Sequence, residues 1–183
     1  LTVVGPEVPL EKGIVDLFNE NGHLIFGPQK SAARLEHSKI FAKDFMKRNN
    51  IPTAAYETFG LNDKAKVYDF ISNTNYPLVI KADGLAAGKG VIICANIDES
   101  IQTVNELFDD KIFGSAGENI VIEQFLTGVE ASVFAICDGT DYIVLPASQD
   151  HKKIGDDETG KNTGGMGAYA PADKAVTPAI MKT

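Results

Sequence analysis

The chain has 183 residues, 44% hydrophobic and 23% charged, a balance that supports a buried core in one large or two small domains and excludes disordered, collagen-like and coiled-coil chains. Seventeen Lys and Arg against 25 Asp and Glu leave a formal charge of −8, the wrong sign for gripping nucleic acid or an anionic membrane. With no apolar run near the roughly 18 to 20 residues of a spanning helix, and no signal-peptide pattern, a soluble cytoplasmic protein is expected.

Leu1 to Val4 reads as a buried strand that breaks at Gly5-Pro6, and a chain that starts on a strand is expected to open in mid-fold. Leu10, Ile14, Leu17 and Phe18 recur at helical spacing, and Asn21-Gly22 closes that helix before a short strand from His23 to Phe26. Ser31 or Ser38 can cap the next helical stretch, which carries Ile40, Phe41, Phe45 and Met46 and must end before Pro52. A strand from Ala54 to Phe59 follows, then a helix capped by Asn62 or Asp63 with Val67, Phe70 and Ile71 inward. Pro77 to Lys81 and Val91 to Ala95 read as strands, and Asp98 as the cap of a helix through Phe108. A strand from Ile120 to Glu123 and two strands around Asp138-Gly139 complete a mixed α/β and α+β pattern. Cys94 and Cys137 each lie in an apolar run and are expected to be buried, reduced thiols. From Ser148 to Pro171 the chain turns polar and glycine-rich, as a ligand-handling loop does.

The span from Lys81 to Val91 is the richest in chemistry. Gly84, Gly88 and Gly90 permit positive φ and close backbone approach, while Lys81 and Lys89 supply charge, a composition suited to cradling phosphate. It is not a Walker A loop, because three residues separate Gly84 from Gly88 and Gly90 follows Lys89. It also joins two strands, so the helix-start anion site of dinucleotide folds is missing. A solvated glycine-rich hairpin loop is the plainer alternative. Lys39 alone reads as a surface helix lysine, Glu130 as a solvated loop acid, and Asp150-His151-Lys152 as a charged loop.

Lys39 opening a helix, Val79-Ile80-Lys81 before a glycine-rich loop, and Val121 to Leu126 resemble an ATP-grasp nucleotide site. Val4 to Glu7, Leu35 to Lys39, Lys81 to Val91, Ser148 to Lys152 and Asn162 to Tyr169, in that order along nearly the whole chain, resemble the phosphoribosylamine–glycine ligase family of purine synthesis. The resemblance implies an ATP-grasp fragment in three parts. Residues 1–58 would end an N-terminal α/β domain, 59–126 would form the ATP-grasp lid, and 127–183 would start the central catalytic subdomain.

It further implies that Lys39, Lys81, Asp83, Gly84, Gly88, Lys89 and Gly90 hold nucleotide phosphates. Glu123 would accept from the adenine amino group, the backbone of Gln124, Phe125 and Leu126 would form the adenine hinge, and Glu130 would hold the ribose. Asp150, His151, Lys152, Asn162, Thr163, Gly164, Gly165 and Met166 would face the substrates, with Lys81 and Asp150 catalytic. The implied reaction joins glycine to 5-phosphoribosylamine with ATP and Mg²⁺ or Mn²⁺, alone or beside fused purine-pathway enzymes. The metal ligands are expected beyond Thr183, so no metal site is expected within this chain, which should be inactive by itself. Another ATP-grasp carboxylate–amine ligase would keep the lysines and hinge without the combined Asp150-His151-Lys152 and Asn162 to Tyr169 segments. A non-catalytic ATP-binding module would look the same over these residues.

Overall fold

Backbone contacts divide the chain into two units, Leu1–Leu126 and Thr127–Thr183. The computed structural model describes residues 1–86 and 89–182, apart from the side chains of Glu158, Lys161, Asn162 and Lys182.

The first unit opens with β1 (Thr2–Val3), α1 (Glu7–Glu11), α2 (Ile14–Glu20), β2 (Ile25–Phe26), α3 (Lys30–His37) and α4 (Lys39–Arg48). Strands β1 and β2 pair in parallel as a two-stranded sheet. The expected burial of β1 does not hold: Val3 is 67% exposed in this two-stranded sheet. The single helix expected after Pro6 is two, broken at Gly13, whose φ of +83° is a left-handed conformation that few other residues adopt. Of the two candidate caps, Ser38 serves α4, its Oγ accepting from the Phe41 N–H at 3.2 Å, while Ser31 lies inside α3.

The unit continues with β3 (Tyr56–Gly60), α5 (Lys64–Ser72), β4 (Leu78–Ala82), β5 (Val91–Cys94), α6 (Ile97–Phe108) and β6 (Asn119–Gln124). The four strands form an antiparallel sheet in the order β3-β6-β4-β5. Alternate side chains leave a strand on opposite faces. Leu78, Ile80, Ala82, Cys94, Ile120 and Ile122 therefore share one face, where they pack on Val67 and Ile71 of α5 and Val104, Leu107 and Phe108 of α6. Burying so many side chains at about 1.5–3 kcal/mol each is the main driving force of this unit. Val79, Lys81, Val121 and Glu123 are left for the other face by the same alternation. Asn96, not Asp98, caps α6: its Oδ1 accepts from the Glu99 N–H at 3.0 Å, and Asp98 sits in the first turn.

Gly84 is required for space, not for positive φ. A Cβ there would lie 2.8 Å from the Ala116 Cβ and 3.0 Å from its Cα, and the Gly84 N–H already donates to the Ala116 carbonyl. Gly84→Ala should therefore destabilise the protein by about 1–3 kcal/mol, read by denaturant unfolding. A change of a few tenths would mean that the Ala116 turn yields freely.

The second unit holds β7 (Ala135–Cys137), β8 (Tyr142–Val144), β9 (Gln149–Asp150), β10 (Lys153–Gly155), β11 (Thr159–Asn162) and β12 (Ala168–Tyr169). They pair antiparallel as three ribbons, β7 with β8, β9 with β12 and β10 with β11. The stretch from Ser148 to Pro171, expected as a loop, is thus largely two ribbons. Asp138 turns the β7–β8 hairpin by accepting from the N–H groups of Thr140 and Asp141 at 2.9 and 2.8 Å. Cys94 is fully buried as expected, but Cys137 is exposed, because β7 and β8 have no other strand beside them among the described residues.

Candidate functional site

The face of the central sheet that avoids the helices α5 and α6 carries the first cluster. Register places Lys81 beside Val121 and Val91, and Val79 beside Glu123 and Ile93. The Lys81 Nζ reaches diagonally to the Glu123 Oε2 at 3.0 Å, a distance that neighbouring strands allow for long side chains. A second lysine, Lys43, reaches the same oxygen at 3.0 Å from α4 and also donates to the Thr53 hydroxyl at 2.6 Å. The Lys43 and Glu123 side chains are 8% and 6% exposed, so this is a buried ion pair, while Lys81 at 26% keeps an open side. The Glu123 Oε1 is buried and without a hydrogen-bond partner among the described residues. An unsatisfied carboxylate oxygen is costly unless a donor arrives from elsewhere. Exposed Val91 and Ile93 extend an apolar strip alongside.

Lys39 joins this cluster through a cap. The Asp83 carboxylate accepts from the Ile40 N–H at 2.8 Å and from the Ser38 hydroxyl at 3.2 Å, tying the end of β4 to the start of α4. This sets the Lys39 Nζ 3.4 Å from the Gly84 carbonyl. Burial pushes the Lys39 ammonium below the usual lysine range; Asp83 opposes the shift and Lys81 adds to it. The Asp83 carboxylate, expected among the phosphate contacts, is engaged by the protein itself. Gly90 is buried and accepts from the Ala82 N–H at 2.8 Å, with no room for a side chain against Ala86, whereas Lys89 is exposed. Gly88 lies outside the described residues. At the end of β6, Gln124 donates its N–H to the Ala55 carbonyl, Phe125 is half-buried and Leu126 is exposed.

Lys43 escaped the sequence reading. Its one signal was its place one helical turn after Lys39, which puts both lysines on one face of α4. Its partner Glu123 is distant in sequence, so nothing local betrayed the pair.

Within the second unit, the Lys152 ammonium lies 2.6 Å from the Glu130 carboxylate and 3.7 Å from that of Asp150. Hydrogen bonding to Glu130 holds Lys152 above the usual lysine range. His151 stacks on Tyr169 with ring centroids 6.1 Å apart. Thr163 donates its N–H and its hydroxyl to the Lys152 carbonyl and accepts from the Gly165 N–H, and the Met166 N–H donates to the His151 carbonyl. The glycine-rich turn thus folds back on the Asp150-His151-Lys152 segment. Gly165, at φ +126°, needs its glycine, and Gly164 has open space around it. The side chain of Asn162 lies outside the described residues. No three carboxylate, imidazole or thiol groups converge at metal-binding distance among the described residues.

Two family models match this chain: the N domain of phosphoribosylglycinamide synthetase over residues 1–36, and the ATP-grasp (A) domain of the same enzyme over residues 37–183. The chain belongs to the phosphoribosylglycinamide synthetase family. It is 55% identical over 183 residues to a phosphoribosylamine–glycine ligase of Chlorobaculum tepidum, matching 100% of this chain and 42% of that one. A bifunctional purine biosynthetic protein of Dictyostelium discoideum is 56% identical over 169 residues, 92% of this chain and 20% of that protein. The crystal structure of a phosphoribosylamine–glycine ligase from Thermotoga maritima superposes with a TM-score of 0.73 at 40% identity, covering 80% of this chain and 37% of that one. The mixed α/β and α+β expectation is met by an N-domain segment followed by an ATP-grasp domain. The chain thus spans about two fifths of the length of these two phosphoribosylamine–glycine ligases.

Proposed function

We propose that this chain is the nucleotide-binding portion of an ATP-dependent ligase that joins glycine to 5-phosphoribosylamine, giving glycinamide ribonucleotide, ADP and phosphate. One observation supports the nucleotide half above all: the buried Glu123 Oε1, without a partner among the described residues, beside an apolar strip and two lysines. An adenine ring lying on Val79 and Ile93 would bring its amino group to that oxygen and its phosphates to Lys81 and Lys39. The backbone of Gln124 to Leu126 would complete the hinge, residues 59–126 forming the lid over it.

In this reading the γ-phosphoryl group passes from ATP to a glycine carboxylate oxygen, releasing ADP. The amine of phosphoribosylamine then attacks the glycyl carbonyl and phosphate leaves. Lys81 and Lys39 stabilise phosphate charge, Glu130 accepts from the ribose hydroxyls, and Asp150 is suited to holding the amine substrate. His151, Lys152 and the turn from Asn162 to Met166 shape that side. Divalent metal, Mg²⁺ or Mn²⁺, would neutralise the phosphates when bound, but the described residues do not assemble its ligands, and no step here depends on them. The existence of bifunctional purine biosynthetic relatives supports an enzyme that works beside, or fused to, another purine-pathway activity. Glycine labelled with ¹⁸O in its carboxylate, turned over by a ligase of its relatives' length that carries this chain, tests the route: one label must appear in the released phosphate, and unlabelled phosphate would exclude glycyl phosphate.

The lowered Lys39 pKa adds a pH dependence. Below that pKa the ammonium is charged and binds phosphate; as pH rises through it, the charge is lost at a lower pH than an ordinary lysine would lose it. ATP affinity should fall along that limb, and Lys39→Arg, which stays charged, should flatten it. Calorimetric titration across alkaline pH would show this, and an unchanged limb in the arginine variant would assign it to another group.

A further inference from the structure

We infer that Lys43 is a positioning residue: it holds the Glu123 charge so that the Lys81 ammonium can leave Glu123 and turn to a nucleotide phosphate. The inference rests on the proposed nucleotide site and goes beyond it, because Lys43 itself touches no part of the ligand in that reading.

Three charges share one buried point. Lys43 and Lys81 both lie 3.0 Å from the Glu123 Oε2, and Glu123 is buried, as is Lys43, whereas Lys81 is open to the sheet face. Two ammonium groups on one carboxylate leave a net positive charge. Of the two, Lys81 is the one free to move, since Lys43 is also fixed to the Thr53 hydroxyl. A carboxylate stripped of every counter-ion in such a place is strongly disfavoured. With Lys43 in place, Lys81 can exchange Glu123 for phosphate without leaving it unpaired. Without Lys43, each phosphate contact made by Lys81 would strand Glu123, and Lys81 would stay where it is. Lys43 is in this sense the permanent partner and Lys81 the shared one.

The prediction concerns the phosphate contribution to binding, taken as the ratio of ATP to adenosine affinity for the protein, measured by calorimetric titration. Lys43→Met should lower that ratio about tenfold, a coupling of the size expected for groups in one network. Glu123→Gln, which keeps an amide oxygen for Lys43 but no charge to hold Lys81, should leave the ratio unchanged or raise it. In the Glu123→Gln background, Lys43→Met should change the ratio less than about twofold. A Lys43 that merely packs would lower ATP and adenosine affinity alike, keep the ratio in the single variant, and overturn the proposal. A fall in the ratio on Glu123→Gln would overturn it too, and that arm stands even if Lys43→Met fails to fold. Lys81→Met, run in parallel, separates the two levels: an unchanged ratio there would mean that Lys81 does not meet phosphate, so the nucleotide reading itself would fail.

Discussion

Lys81→Ala should weaken ATP binding by about tenfold to a hundredfold, while Lys89→Ala should cost no more than about fivefold. Lys81 is anchored in β4, one strand from Glu123, with its ammonium held and 26% exposed. Its backbone is fixed in the sheet and its ammonium is already on the open face, so less entropy is lost when it exchanges Glu123 for phosphate than an exposed lysine loses, and a charge-assisted bond in a half-buried place is strong. Lys89 is exposed, and its charge is screened by water and must be ordered on binding. Titration of both variants with ATP and Mg²⁺ gives the comparison. Equal losses would remove the special role of Lys81 and return the segment to a solvated hairpin loop.

Glu123→Ala should destabilise the fold by about 3–5 kcal/mol, more than Glu123→Gln. The alanine variant leaves Lys43 buried with the Thr53 hydroxyl and the Tyr56 ring, 5.4 Å from its Nζ, as partners that carry no negative charge, and two ammonium groups facing one another across an empty space. Glutamine still offers an oxygen to Lys43. Denaturant unfolding of the three proteins, with their m-values compared, measures the difference. A loss below about 1 kcal/mol for alanine would mean that water reaches the triad and that its charges are not held in a low-dielectric place.

Those two residues also show what could be read in the sequence. The alternation of Leu78, Ile80 and Ala82 with Val79 and Lys81 is local, and it alone assigns Lys81 to the face away from the core. Glu123 follows the same rule in β6. The helices with strong apolar spacing, α5 and α6, appear where the spacing puts them, because their buried faces are written within one or two turns. What was hidden depends on partners far along the chain. Asp83 has a local identity as a loop acid, but its role is to cap α4, which begins more than forty residues earlier. Lys43 became a member of the site through Glu123, Gly84 became indispensable through Ala116, and Cys137 is exposed on a ribbon that no third strand joins among the described residues. Gly13 was a breaker in plain view, yet the apolar repeat ran across it and suggested one helix. Similarly, the glycine-rich stretch after Ser148 lacks strand periodicity, and its ribbons are defined by cross-strand backbone pairing that composition does not report.

The most direct measurement of the central claim is ADP release by a ligase of its relatives' length that carries this chain, supplied with MgATP, glycine and 5-phosphoribosylamine, with each omitted in turn and other carboxylates offered in place of glycine. ADP should form in step with glycinamide ribonucleotide and depend on both glycine and the amine. Turnover that persists without either, or that prefers another carboxylate, would contradict the account.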